Sequence, residues 1–357
     1  MRTRTSSSQA TPAIALVEDL QRRLVQRLEA IDRVAGGVVG FAPVEWLRDG
    51  GRHGGGVRFE IADAGIFNRA SANVSHVHYD DDDARPLRSA TALSSIIHPA
   101  HPRLPSLHVH LSWTELRRSS EPGAGSWRLM ADLNPSIPHA GDTARFKAAL
   151  VDVMTRHVGA DVAATALAEG DRYFFIPALQ RHRGVCHAYL ERHATADADA
   201  DLAFARAFGE AVIDVYAGLL EAALGEAVVV DDTMRQAQLA YHTAYLFQVL
   251  TLDRGTTSGL LVHDENDVGI LGSLPGRVDR ALLASWRDRA PEPMRPLVDD
   301  IVAALPDASP CPVDIAARAR LAGVVRAFFR AHPGVLDLQA RGSVVPPTVA
   351  NHAVVRA

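Results

Sequence analysis

Between Val57 and Trp113 the chain carries four short runs of strand-type residues, Val57 to Ile61, Ala72 to Tyr79, Ser94 to His98 and Ser106 to Trp113, with no helical period between them. Strand runs that do not alternate regularly with helices favour an α+β domain over a doubly wound sheet. In the last run Leu107, Val109 and Leu111 alternate with His108, His110 and Ser112. Successive strand residues point to opposite faces, so one sheet face receives three polar side chains.

Helical periods surround these runs. Ile14 to Val34 spaces Ile14, Leu16, Val17, Leu20, Leu24, Leu28 and Ile31 as an amphipathic docking helix, and Thr143 to Ala168 and Asp201 to Leu224 repeat that signature. The glycines from Gly36 to Gly56 predict tight turns. Further strands are expected at Arg172 to Ile176 and Gly184 to Leu190. A hairpin-linked pair, Tyr245 to Thr251 and Gly259 to Val262, is expected around Asp253-Arg254-Gly255-Thr256, with a final strand at Gly269 to Leu274. Helices at Arg295 to Leu305 and Asp314 to Ala331 precede a Pro-containing tail. The expected organisation is a disordered start over 1–13, one domain over 14–287 and a helical extension with its tail over 288–357.

With 47% hydrophobic and 22% charged residues in 357, the composition is that of a globular protein with a sizeable core. A net charge of -5 supplies no basic face to replace counterions on phosphates, so no nucleic-acid partner is expected. Cys186 and Cys311 lack metal or redox spacing, which fits a reducing compartment. No stretch approaches the length of a membrane span, and Glu18 and Asp19 interrupt the apolar stretch near the N-terminus before it resembles a signal peptide. The expectation is a cytoplasmic protein with a small-molecule substrate.

Sixteen histidines raise the question of metal, with His76 and His78, His98 and His101, His108 and His110, and His182 and His187 in close pairs. The i, i+2 spacing of His108 and His110 presents two ligands or a plain polar strand face, and spacing does not choose between them. Asp253 beside Arg254 is either an ionised acid/base group or an Asp cap on a turn. Gly50 to Gly56 lacks the lysine of a phosphate loop, and Asp80 to Asp83 lacks the glycine and glutamate of a calcium loop. Without a Gly-x-Ser-x-Gly elbow, a serine hydrolase has no support.

Five stretches, in order from about Trp46 to Trp286, resemble the oxygen-dependent coproporphyrinogen III oxidases. They are Gly65-Ile66-Phe67-Asn68-Arg69-Ala70-Ser71 and its continuation to Ser75; Ser94-Ser95-Ile96-Ile97-His98-Pro99 and its continuation to His108; Asp132-Leu133-Asn134-Pro135; Asp171-Arg172-Tyr173-Phe174-Phe175-Ile176 before Arg183-Gly184-Val185; and Gln238-Leu239 running to Asp253-Arg254-Gly255-Thr256. The resemblance implies a large antiparallel sheet between helices, a homodimer, and molecular oxygen as co-substrate in the oxidative decarboxylation of two porphyrinogen propionates to vinyl groups. It makes Asp253 the carboxylate that meets pyrrole nitrogens and Arg254 its neighbouring cation. It makes His98 and His108 divalent-metal ligands, with His108 also a proton donor, and Ser94 a substrate contact.

Other positions depart from the family pattern. Arg145 and Ala178-Leu179 stand where histidines are expected, so two of the family's four metal ligands are missing. His110-Leu111-Ser112 replaces an Asn-x-Arg, Val262 to Asn266 replaces a Gly-Gly-Arg loop, and Ala240 to Tyr245 replaces an arginine-rich segment. Carboxylates buried without partners cost several kcal/mol each, roughly, so the loss of cations points to altered substrate binding. Two alternatives follow, a tailoring oxidase acting on another electron-rich substrate and a non-catalytic paralogue that keeps the fold and dimer.

Overall fold

The computed structural model describes residues 1–117, 125–345 and 347–353. Its centre is a seven-stranded antiparallel sheet in the order β1 (Ala42–Leu47), β2 (Gly54–Ala64), β3 (Phe67–His78), β4 (Leu87–Pro99), β5 (Ser106–Leu116), β6 (Gly125–Asn134) and β9 (Cys186–His193). The two-residue strands β7 (Phe175–Ile176) and β8 (Arg181–His182) form a separate ladder in the connection before β9. The first six strands are a meander, and the period-2 pattern of Ser106 to Trp113 sets their two faces.

Leu107, Val109 and Leu111, each at most 1% exposed, enter a core with α1 (Ala10–Val34), α2 (Ala140–Val158), α3 (Ala160–Tyr173) and α4 (Ala198–Leu224). Gln21 of α1 pins that helix to the sheet by donating to the Val57 and Ala72 carbonyls at 2.8 Å each. Asp32 accepts the Ile66 amide at 2.7 Å beside Gly65, whose φ is +54° and whose added Cβ would fall 2.0 Å from the Asp32 carboxylate. Glycine is therefore required in that turn.

The opposite face meets a second layer. It holds α5 (Asp232–Thr251), α6 (Arg254–Val262), the short α7 (Asp267–Ile270) and α8 (Arg280–Ser285), then α9 (Arg295–Ala304), α10 (Ile315–Ala331) and α11 (Thr348–His352). Strands β10 (Arg277–Val278) and β11 (Cys311–Pro312) pair within it. Phe247 and Leu250 of α5 share one core with Met294, Leu297, Val325 and Phe329, so the 288–353 extension packs into the body of the protein across the expected boundary at 287. The last four residues of the expected tail, 354–357, lie outside the described residues.

Several sequence expectations need correction. The segment Tyr245 to Val262 is two helices rather than a hairpin, because Tyr241 to Thr251 is buried on every side and its apolar run carries no amphipathic period. Gly269 to Leu274 is helical turn, and Arg172 and Tyr173 finish α3 instead of opening a strand. The helix expected over Thr143 to Ala168 breaks at Gly159, whose φ of +86° no α-helix continues through. The start is ordered rather than disordered. α1 begins at Ala10, the Thr3 amide donates to the Gly51 carbonyl at 3.0 Å, and the Ser6 amide to Asp80 at 2.6 Å. A Ser/Thr-rich segment has little apolar surface to signal burial, but its hydrogen-bonding groups find partners in the turn before β2 and at the end of β3.

Candidate active site

A cavity of about 430 Å³ lies between the polar face of the sheet and the second helical layer. His108 and His110 of β5, Ser94 of β4 and Arg128 of β6 form its floor, and Asp253 and Arg254 stand on its helical wall. The alternation that buries Leu107, Val109 and Leu111 on one side delivers both histidines to the other. Ser94, His108, Asp253 and Arg254 are thus brought to one cavity, whereas His98 is not among its lining residues.

His108 is held from behind. Its Nδ1 lies 2.5 Å from Asp132 Oδ1, directly across the β5–β6 ladder. Arg183 donates from Nη2 to Asp132 Oδ2 at 2.8 Å, and Asn134 Nδ2 donates to the same oxygen at 2.6 Å. Asp132 is fully buried. Burial by itself pushes its carboxyl up, but the Arg183 guanidinium and the His108 ring outweigh burial and hold Asp132 well below the usual carboxylate range. An ionised Asp132 is acceptor-only, so His108 Nδ1 carries a proton toward it and Nε2 is left for the cavity. The Arg183 guanidinium also stacks 4.5 Å from the Phe174 ring and 4.9 Å from Tyr245.

Asp253 is the N-cap of α6. Its Oδ2 accepts from the Thr256 amide at 2.8 Å and from Thr256 Oγ1 at 2.6 Å, and Oδ1 accepts from the Tyr173 hydroxyl at 2.7 Å. The cap and the cavity position coexist, since each carboxylate oxygen accepts more than one hydrogen bond. Burial, followed by the Asp253 charge, raises the Tyr173 hydroxyl well above its ordinary value, so it stays a donor. Arg254 donates to the Leu336 carbonyl at 2.7 Å and is anchored to that turn. His110 Nε2 is buried without a partner, and burial, with Arg128 and His108 beside it, pushes the ring well below its ordinary value. A neutral imidazole with a free ring nitrogen results.

The expected metal pair does not fit. His98 Nε2 is 3.1 Å from the Ser273 carbonyl, which only accepts, so that nitrogen bears the proton, and Nδ1 takes the Ser106 hydroxyl at 3.1 Å. Both ring nitrogens are consumed, and Tyr241, His242 and Tyr245 surround the ring with centroids 5.9, 5.2 and 4.7 Å away. His98 is a core residue, and His108 alone does not make a site. Arg145 lies on α2, close to Gly218 of α4 in the layer across the sheet, and Ala178 packs against the second core. His76, a further candidate ligand, accepts the Thr5 amide at 3.2 Å and follows Ser75, which faces the cavity, so it points to the other side of the sheet. Among the described residues, no group of three or more histidine, cysteine, aspartate or glutamate side chains is placed to hold an ion.

Sequence reasoning gave no role to Asp132, Arg183 or Tyr173, although all three lie within the family-like stretches. The available signal was a charge inside a strand, Asp132 between Ala131 and Leu133, because a carboxylate buried in a sheet requires a partner. Nothing local identifies Arg183 as that partner, 51 residues away.

The α+β fold carries a polar cavity floored by an antiparallel sheet, with His108 backed by the buried Asp132. The chain belongs to the coproporphyrinogen III oxidase family, whose model matches residues 13–292. It is similar to the mitochondrial oxygen-dependent coproporphyrinogen-III oxidase of Rattus norvegicus, with 26% identity over 290 residues. That alignment covers 76% of this chain and 62% of the rat protein, less than two thirds of its length. Among the described residues, no helix is long and apolar enough to cross a membrane.

Proposed function

We propose that the chain is an oxygen-dependent oxidase that converts porphyrinogen propionates to vinyl groups in this cavity. The carrying observation is that His108, oriented by Asp132, and Asp253, oriented by Tyr173 and Thr256, line the same cavity. For each propionate, the side chain loses carbon dioxide and two hydrogens, and molecular oxygen takes up the two hydrogens as hydrogen peroxide. The electrons come from the electron-rich ring, so the protein's work is to orient the ring, hold it away from water and manage protons. Asp253 accepts a pyrrole N–H, which favours electron loss from the ring, and His108 Nε2 exchanges a proton with the substrate. Ser94 contacts the substrate from the floor, and Arg254 keeps the α6 wall in place. No step passes through a metal ion.

Homodimeric assembly and a cytoplasmic setting belong to the same reading, and the mass in solution tests the first. A second reading, oxidation of another electron-rich heteroaromatic in specialised metabolism, draws support from the altered walls. Glu265, in the segment that replaces the family's arginine loop, lies 3.3 Å from Arg48 and occupies that cation. Incubation with coproporphyrinogen III under air and under nitrogen distinguishes the readings. Oxygen-dependent vinyl product with one carbon dioxide per vinyl group is expected. Absence of product under air overturns the porphyrinogen assignment in favour of the second reading or a non-catalytic paralogue.

A further inference from the structure

Five arginines line the cavity, Arg128, Arg183, Arg192, Arg254 and Arg341, against two acidic residues, Glu191 and Asp253. Three of the five are engaged. Arg128 pairs with Glu191 at 2.5 Å, Arg183 with Asp132 at 2.8 Å, and Arg254 with the Leu336 carbonyl at 2.7 Å. Arg192 and Arg341 are exposed at the cavity rim and have no hydrogen bond or ion pair among the described residues.

Both are delivered there by specific backbone devices. In the β6–β9 ladder, Leu129 faces Leu190 but Trp127 faces His193, so Glu191 and Arg192 together oppose one residue of β6. This is a bulge, and Arg192 sits in it with a φ of +55°. A bulge re-aims side chains out of the regular alternation. Arg341 is held from both sides. Before it, the Ala340 amide donates to the Leu252 carbonyl at 2.8 Å and Gln339 Nε2 to Thr257 Oγ1 at 2.7 Å. After it, Ser343 Oγ donates to Glu169 at 2.7 Å, and Arg172 donates to Ser343 Oγ at 2.7 Å. Further on, His352 Nδ1 lies 3.0 Å from the Tyr79 hydroxyl, just past the end of β3. The extension therefore crosses the cavity mouth from the β9 edge to the β3–β4 end, and Arg341 lies on that crossing.

We propose that this extension, which follows the family-matched region, builds an anion receptor at the cavity rim in which Arg341 and Arg192 take a carboxylate of the substrate. Two unpaired guanidiniums beside a cavity whose other three arginines already have partners select a ligand with an acidic group. The assignment of that group as a propionate rests on the proposed porphyrinogen substrate; the anion receptor itself does not.

The test is equilibrium binding of two fluorescent probes, coproporphyrin III, the stable oxidised tetracarboxylate, and 8-anilinonaphthalene-1-sulfonate, an unrelated aromatic anion. Wild type is compared with Arg192→Gln/Arg341→Gln, with Arg341→Lys, and with Arg330→Gln, an exposed arginine at the end of α10 outside the cavity. Circular dichroism verifies that each variant is folded. The double variant is expected to bind both probes at least about tenfold more weakly, a loss of about 1.4 kcal/mol, and with a shallower salt dependence. Arg341→Lys recovers part of the affinity, and Arg330→Gln matches wild type. Wild-type affinity in the double variant for both probes, or binding of neither probe by wild type, overturns the receptor. Arginine-dependent binding without turnover of coproporphyrinogen III under air upholds the receptor and overturns only the porphyrinogen assignment.

Discussion

Replacing Asp132 with alanine is expected to destabilise the protein by about 3–5 kcal/mol, because it strands the buried Arg183 cation without a counter-charge. Arg183 is 5% exposed, and the Phe174 and Tyr245 rings that flank it do not neutralise it. Urea unfolding reads the loss. Asp132→Asn separates the two roles of the carboxylate. It keeps the volume and one acceptor, so less stability is lost, but it no longer fixes the proton on His108 Nδ1, and turnover is expected to fall by about 10²–10⁴. A fold that stays as stable as wild type in Asp132→Ala would show that water or rearrangement neutralises Arg183. Replacing both partners, as Asp132→Leu with Arg183→Met, is expected to restore much of the stability but none of the activity.

The pair also makes stability depend on pH. The folded-state pKa of Asp132 is depressed, so its contribution is fully present above the ordinary carboxylate range. It is lost as pH falls through that range towards the depressed folded value. Asp132→Asn removes this contribution, and its stability is expected to decline less steeply than that of wild type on acidification. Unfolding curves at a series of acidic pH values measure the difference.

Asp253→Asn is the second large effect, with turnover expected to drop by about 10²–10⁴ while the fold persists. Asparagine is as good an N-cap as aspartate, so α6 keeps its start, and the change removes the negative charge that faces the cavity. Asp253→Ala also removes the cap and costs about 1 kcal/mol more in stability. The two variants together distinguish a catalytic charge from a structural cap. Equal turnover in wild type and Asp253→Asn, with loss confined to Asp253→Ala, would reduce Asp253 to a cap. Tyr173→Phe is the companion, removing one of the hydrogen bonds that orient the carboxylate.

Local pattern made much of the fold legible. The period-2 run from Ser106 to Trp113 specified which residues of β5 face the core and which face the cavity, since a strand has only two faces. The amphipathic periods of α1, α2 and α4 did the same for the first helical layer. The pattern failed where burial is uniform. Tyr241 to Thr251 is enclosed on all sides, and a segment with no solvent face has no period from which helix and strand are told apart. It failed again at the N-terminus, where polar residues pack through hydrogen bonds rather than apolar area.

The site divides along the same line. The order of the family-like stretches established ancestry, and Ser94, His108, Asp253 and Arg254 do share a cavity. Only the tertiary structure showed that His98 has spent both ring nitrogens on Ser106 and Ser273, 175 residues beyond it in the chain. The histidine type was visible, but its lone pairs were not. Ligand capacity depends on what each nitrogen already touches. Likewise the sequence contained Asp132, Arg183 and Arg341 without their relationships, because a buried ion pair and an unpaired rim cation differ in surroundings and not in residue type. Sequence by itself determined the family, the sheet faces and the residue types available. The folded chain decided which charges are neutralised within the protein and which are left unpaired at the cavity.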